Sequence, residues 1–386
     1  MDIFNEIAQK YIKKKLIAGL EWDVRIKDKV LSGGVAGHTD AKSMDPLMEN
    51  QIYRIFSMTK PIVSVACIRL IERNKLHLNS IAQEFIPSLS SLKVIRPCGA
   101  LERLKRPITI ADLLTHTAGF SYSFNIGCHV ASFYKEANLL NEPSLSLEEF
   151  VDKIATLPLA FQPGEAWRYS VSIDVLGRIL EIVEDKRLEE ILKELIFGPL
   201  GMKETSFFLN QTKATRLMPM HGTNNFNELI SLNQKDLVVV DIEKTHPSQG
   251  LNINERGGGG LFSTVKDYQL FCKFLLDGKN KKSIPLVSST MHNFMLKNRI
   301  QKSLLPLKLG PRLLDGYGWN LIGRVMIDNG QAMSLTNNGE FGWAGAATTF
   351  FWLDREIDLS GVLMTQFAGR DLNLANELRA ASYSAS

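Results

Sequence analysis

Residues 51–76 read QIYRIFSMTKPIVSVACIRLIERNKL, and the stretch changes character in its middle. Gln51 to Phe56 is strand-like, whereas from Thr59 to Leu76 apolar residues fall on most sides of a helix, so that helix is expected to be buried. Pro61 falls in the first turn, where a missing N–H costs nothing. Between strand and helix stands Ser57-Met58-Thr59-Lys60. Ser57 and Lys60, three apart at a helix start, share one face within hydrogen-bonding reach. The free N–H groups of that terminus favour developing negative charge, and a desolvated lysine can be neutral and accept a serine proton.

Working outward, Ile3 to Leu16 has the pattern of an amphipathic helix, and Glu21 to Val35 reads as strand, Lys27-Asp28-Lys29 turn, strand. Residues 79–209 are mostly helical, including Ser172 to Glu184 and Leu188 to Ile196. A polar stretch runs to Arg256, followed by glycines 257–260 and a helix from Ser263 to Leu276. Strand signals return at Gly318–Met326, Gly345–Leu353 and Leu359–Gln366. Strands at both ends must pair across the middle. The expected fold is α/β of the α+β kind: an antiparallel sheet flanked by helices, residues 1–84 and 250–386, with a mostly helical domain, residues 85–249, inserted between.

The composition is that of an enzyme-sized globular body, with 386 residues, 45% of them hydrophobic and 22% charged. The net charge of +4 is scattered, with short clusters at Lys13–Lys15 and Lys279–Lys282, and no basic run tracks a phosphate backbone. Nucleic acid is not an expected partner. No apolar run spans a bilayer, and the charged first fifteen residues do not read as a signal peptide. The four cysteines have no Cys-x-x-Cys spacing, which suits free thiols in the cytoplasm.

Several kinds of site fail on spacing. The seven histidines include no His-x-x-x-His pair, so no metal is expected. Glycines 257–260 are not followed by Lys-Ser/Thr and read as a crowded turn, and there is no Gly-x-Ser-x-Gly elbow. Ser-x-x-Lys recurs at Ser90–Lys93, Ser132–Lys135 and Ser263–Lys266, so spacing alone does not choose. Ser263 reads as the N-cap of its own helix, and Ser90 and Ser132 lie in polar surroundings. On this ground Ser57 itself stands evenly between nucleophile and ordinary cap.

A resemblance tips the balance. Besides FSMTK at 56–60, the chain carries LLTHTAG at 113–119, PGEAWRYS at 163–170, FGPLGM at 197–202, GGGLFST at 258–264 and GWAGA at 342–346. In that order these resemble the serine β-lactamase-like hydrolases, the class of fold shared with penicillin-binding proteins, and within it the carboxylesterases related to class C β-lactamases and D-peptidases. The resemblance covers most of the chain. It implies Ser57 as nucleophile, Lys60 as its helical partner and Tyr169 as the tyrosine of the second motif, with the N–H groups of Ser57 and Ala346 as oxyanion hole. Whether Lys60 or Tyr169 takes the proton stays open. His116 is given a structural role. No cofactor is implied.

The departures point to esters. The β-lactamases have Tyr-x-Asn and Lys-Thr-Gly where this chain has Tyr169-Ser170-Val171 and Trp343-Ala344-Gly345. Val171, Trp343 and Gly345 thus replace polar anchors with apolar wall around the substrate. The expectation is a serine carboxylesterase for small neutral esters. Its rivals are a β-lactamase, D-amino-acid peptidase or amidase, an acyltransferase, or a non-catalytic binding protein. Arg312, Arg324 or Arg370 would supply a substitute cation if an anionic substrate were bound.

Overall fold

The computed structural model describes residues 2–42, 45–125, 127–141, 145–224, 228–232, 255–369 and 372–385. Most of the polar stretch before Arg256, and Arg370, lie outside them.

The chain opens with α1 (Ile3–Lys13), capped by the Asp2 side chain on the Phe4 N–H, and a hairpin of β1 (Gly19–Ile26) and β2 (Lys29–Gly37). Lys27 and Asp28 form its turn with positive φ at both positions, the combination that matches strand twist. A two-residue strand β3 (Tyr53–Arg54) pairs with β4 (Phe262–Ser263) and leads into α2 (Thr59–Glu72). Downstream follow α3 (Ile110–Leu114), α4 (Leu147–Ala155), α5 (Ser172–Glu184) and α6 (Val265–Asp277). The C-terminal part adds a hairpin of β5 (Leu307–Leu309) and β6 (Arg312–Leu314). Then come β7 (Tyr317–Trp319), β8 (Arg324–Met326), β9 (Phe341–Gly345), β10 (Thr349–Asp354), β11 (Leu359–Met364) and α7 (Leu374–Ser384).

The main sheet has seven strands in the order β7-β8-β9-β10-β11-β1-β2, all antiparallel. Its two ends of chain meet where Trp22 of β1 faces Leu363 of β11. The period of two sorts β10 between two cores: Phe350 and Trp352 pack with Phe4 of α1 and Leu378 of α7, while Phe351 and Leu353 face the core containing α2 and α6. Gly361, opposite Trp352, leaves room for its indole, which a Cβ would overlap.

Three expected elements differ. Gly318–Met326 is a hairpin, not one strand, because Asn320 Oδ1 accepts the N–H groups of Ile322 and Gly323 and turns the chain. The strand expected at 345–353 is two strands, with the chain turning at residues 346–348. The helix expected over Thr59–Leu76 begins at Thr59, after one 3₁₀ turn, Phe56–Met58, but ends at Glu72.

Candidate active site

Ser57 sits in that 3₁₀ turn, where β3 hands the chain to α2. Phe56, just before it, has φ +43°, a strained left-handed value for a bulky residue. The surroundings hold the turn in place: Ile55 donates to Leu261 O at 3.1 Å, and Tyr268 Oη donates to Met58 O at 2.9 Å. Gly345 of β9 presses against the Ile55 carbonyl so closely that a Cβ would collide with it. The third sequence motif is thereby joined to the first.

One helical turn on, Lys60 is buried. Its Nζ reaches Gly258 O at 2.6 Å, Tyr122 Oη at 2.9 Å and Ser57 Oγ at 3.4 Å. The last is long, as resting hydrogen bonds of proton-transfer pairs often are. Tyr169, also buried, accepts the Trp343 Nε1 proton at 3.1 Å, and the Ser57 side chain lies near enough to favour its ionised form. Lys60 Nζ lies 4.6 Å from the centre of the Tyr169 ring.

Burial and charge sort these groups. Burial pulls the Lys60 amine down to about 7, with the Arg256 charge acting in the same direction and Asp174 opposing. Burial pushes the Tyr169 phenol well above its usual range, so it stays protonated although Ser57 and the Trp343 N–H pull the other way. A neutral amine has two N–H donors and one lone pair; Gly258 O and Tyr122 Oη can take the donors, leaving the lone pair for the Ser57 proton. Burial also holds His116 neutral. Its Nδ1 lies 3.2 Å from Ser170 Oγ, and its ring packs against Tyr169 and Trp319.

Ser57 opens onto a cleft of about 430 Å³, which Tyr169, Trp343, Gly345 and Ala346 also line. Ala346 stands at the β9–β10 turn on the cleft wall. Val171 is buried in the main apolar cluster and is not among the lining residues. Arg312 and Arg324 line the cleft, joined by Arg379 of α7, which the sequence had not singled out. Glu340, fully buried, accepts from Arg324 at 3.1 and 3.2 Å and from Arg379 at 3.4 Å. Tyr122, Asp174 and Arg256 are the other buried groups that sequence reasoning missed. Tyr122 lies three residues beyond a quoted motif and Asp174 in the first turn of a helix read only for its apolar face, so no pattern marked either.

The competing serines sit elsewhere. Ser90 and Ser132 are exposed. Ser263 is buried in β4 and pairs with Thr205 Oγ1 at 2.8 Å; the N-cap of α6 is Thr264, whose Oγ1 accepts the Asp267 N–H at 3.1 Å. The cap expected at Ser263 is therefore one residue later. Among the described residues no His, Cys, Asp and Glu group has the form of a metal site, and no helix is long and apolar enough to cross a membrane.

This fold, with Ser, Lys and Tyr converging on one cleft, defines a class of serine hydrolase scaffold, and the chain belongs to the beta-lactamase family, whose model matches residues 4–384. The protein Rv1367c of Mycobacterium tuberculosis is 30% identical over 352 residues, covering 89% of this chain and 84% of its own. Esterase EstB of Burkholderia gladioli is 25% identical over 374 residues, 94% of this chain and 89% of its own. The fold also matches that of EstCE1, a hydrolase with promiscuous acyltransferase activity, at a TM-score of 0.84 and 22% identity over 99% of this chain and 97% of that one.

Proposed function

We propose that the protein hydrolyses small neutral carboxylic esters through an acyl-enzyme on Ser57. The observation that carries the reading is the placement of Ser57 in an open cleft beside Tyr169, with its Oγ 3.4 Å from the buried Lys60 amine. Neutral Lys60 takes the Ser57 proton as Oγ attacks the ester carbonyl, and the N–H groups of Ser57 and Ala346 bind the oxyanion. As the tetrahedral intermediate collapses, Tyr169 gives its proton to the departing alkoxide and is reprotonated from the Lys60 ammonium. A water then enters; its proton returns to the same pair, its oxygen attacks the acyl carbon, and Ser57 leaves with a proton as the acid is released. No cofactor takes part in this scheme.

The substrate class rests on the walls. Trp343 and Phe350 are apolar, and the cations of Arg324 and Arg379 are engaged by Glu340. An anionic lactam or peptide would be desolvated there for little return. Likeness to EstB supports the ester reading. The four cysteines are all free thiols, in keeping with a reducing cytoplasm. A second reading, cleavage of β-lactams or D-peptides, is favoured by one feature: Arg324 and Arg379 share one carboxylate and Arg312 lines the same cleft, which leaves the wall with net positive charge.

The test is intact-mass measurement after exposure to p-nitrophenyl butyrate and to a fluorophosphonate, with peptide mapping, alongside kcat/KM for the butyrate and for nitrocefin. We expect a single adduct on Ser57 and ester turnover above lactam turnover by a factor on the order of 100 or more. No adduct on Ser57 would sink the reading, and comparable kcat/KM values would replace the esterase with the lactamase.

A further inference from the structure

Gly258 is held from two sides. Its carbonyl accepts the Lys60 amine at 2.6 Å, and its own N–H donates to Asp174 Oδ1 at 2.9 Å. Asp174 lies in the first turn of α5, only 2% exposed. The fit between it and Gly258 is so close that a Cβ on the glycine would overlap the carboxylate. One carboxylate on one helix thus fixes the acceptor that aims the amine of another.

Burying a carboxylate is costly unless charge and hydrogen bonds answer it. Burial raises the Asp174 carboxyl, and three groups oppose that rise: the Lys60 amine of α2 in its protonated form, Arg256 at the start of the glycine run, and the Gly258 N–H. The same negative charge reaches the Tyr122 and Tyr169 hydroxyls, and His116 lies within the field of Lys60. Asp174 and Arg256 act on the amine with opposite signs. A buried amine without a nearby negative charge becomes too weak a base to accept a serine proton efficiently.

We propose that Asp174 is a positioning residue for Lys60, holding the Gly258 carbonyl that orients the amine and supplying the negative charge that keeps the amine basic. The inference rests on the proposed role of Lys60 at Ser57 and adds a device to it. It separates into two parts that substitutions can divide. Asp174→Asn keeps a carbonyl oxygen for the Gly258 N–H and removes the charge; Asp174→Ala removes both.

The experiment is the pH profile of kcat/KM for p-nitrophenyl butyrate. In Asp174→Asn the acid limb should move to lower pH by about one unit, with kcat falling roughly tenfold and KM nearly unchanged. The direction is the same whether Lys60 or Tyr169 takes the proton, because the lost charge had raised the proton affinity of both. Asp174→Ala should show the same displacement and a further drop in kcat as the carbonyl is released. Arg256→Gln should move the limb the opposite way, which keeps the idea testable if an Asp174 variant does not fold. An unmoved limb in a folded Asp174→Asn or in Arg256→Gln overturns the proposal. Fluorophosphonate labelling of the wild type separates the levels: a labelled Ser57 with an unmoved limb removes only this inference, whereas an unlabelled Ser57 removes the esterase reading with it.

Discussion

Lys60 has three neighbours, at 2.6, 2.9 and 3.4 Å, and as a neutral amine it can satisfy all three. Its protonation therefore sets the working range. With the amine near 7, kcat/KM should rise with pH through an apparent value of about 7 and level off above it, since only the neutral form accepts the serine proton. A limb near 4 or 10 would assign the base elsewhere. Lys60→Ala and Tyr169→Phe should each lower kcat by a factor on the order of 1,000, and the double variant by little more than either alone, because residues acting as one unit are not additive. Losses that multiply would mean two independent devices. Ser57→Ala should abolish turnover at a stability cost below about 1 kcal/mol, read by thermal unfolding with circular dichroism. At this scale the sequence showed the charged and nucleophilic groups that carry motifs. It did not show Tyr122 or Asp174, whose significance comes from what folds against them.

Among the elements, β9 and β10 carry most of the positioning. Trp343 of β9 holds the Tyr169 hydroxyl, Gly345 of the same strand meets the Ile55 carbonyl, and β10 feeds both cores. Gly361 on β11 admits the Trp352 indole between strands, so Gly361→Val should cost about 2–3 kcal/mol in chemical denaturation through overpacking alone. A cost under about 0.5 kcal/mol would show that the sheet yields there. Residues 172–184 were legible end to end because their apolar face has the helical period and little else competes. The hairpin at β7 and β8 was not, since Trp319-Asn320-Leu321-Ile322 reads as continuous strand until Asn320 is seen to fold the chain back on itself. Ser263 failed for a related reason: serine and threonine both cap helices, and only the geometry placed the cap on Thr264.

For the molecule as a whole, Glu21 ties the sheet to the strand that leads to Ser57. It is buried on β1, accepts Tyr53 Oη at 3.0 Å and the Asn50 N–H at 3.4 Å, and burial pushes its carboxyl up to about 7. A carboxyl whose folded value lies above its unfolded one stabilises the fold at low pH and loses that contribution as pH rises. Between about pH 4.5 and 7 it should therefore remove roughly 2 kcal/mol, and Glu21→Gln should flatten that part of the denaturation-midpoint profile. An unchanged slope in the variant would place the titration elsewhere. The pairing of the chain ends was legible from strand signals alone, but a buried carboxylate on an inner strand breaks the apolar pattern and could only be found in the fold. The tryptophans carry one more consequence. Trp343 donates to Tyr169 and meets Trp319 edge to face at 4.6 Å, with Trp167 5.5 Å beyond, so three of the chain's five indoles are grouped at the tyrosine that lines the cleft with Ser57. The site thus carries its own lamp: a colourless phosphonate seated on Ser57 should change the ultraviolet emission of the protein as it binds, and the same reagent should leave Ser57→Ala dark to the event.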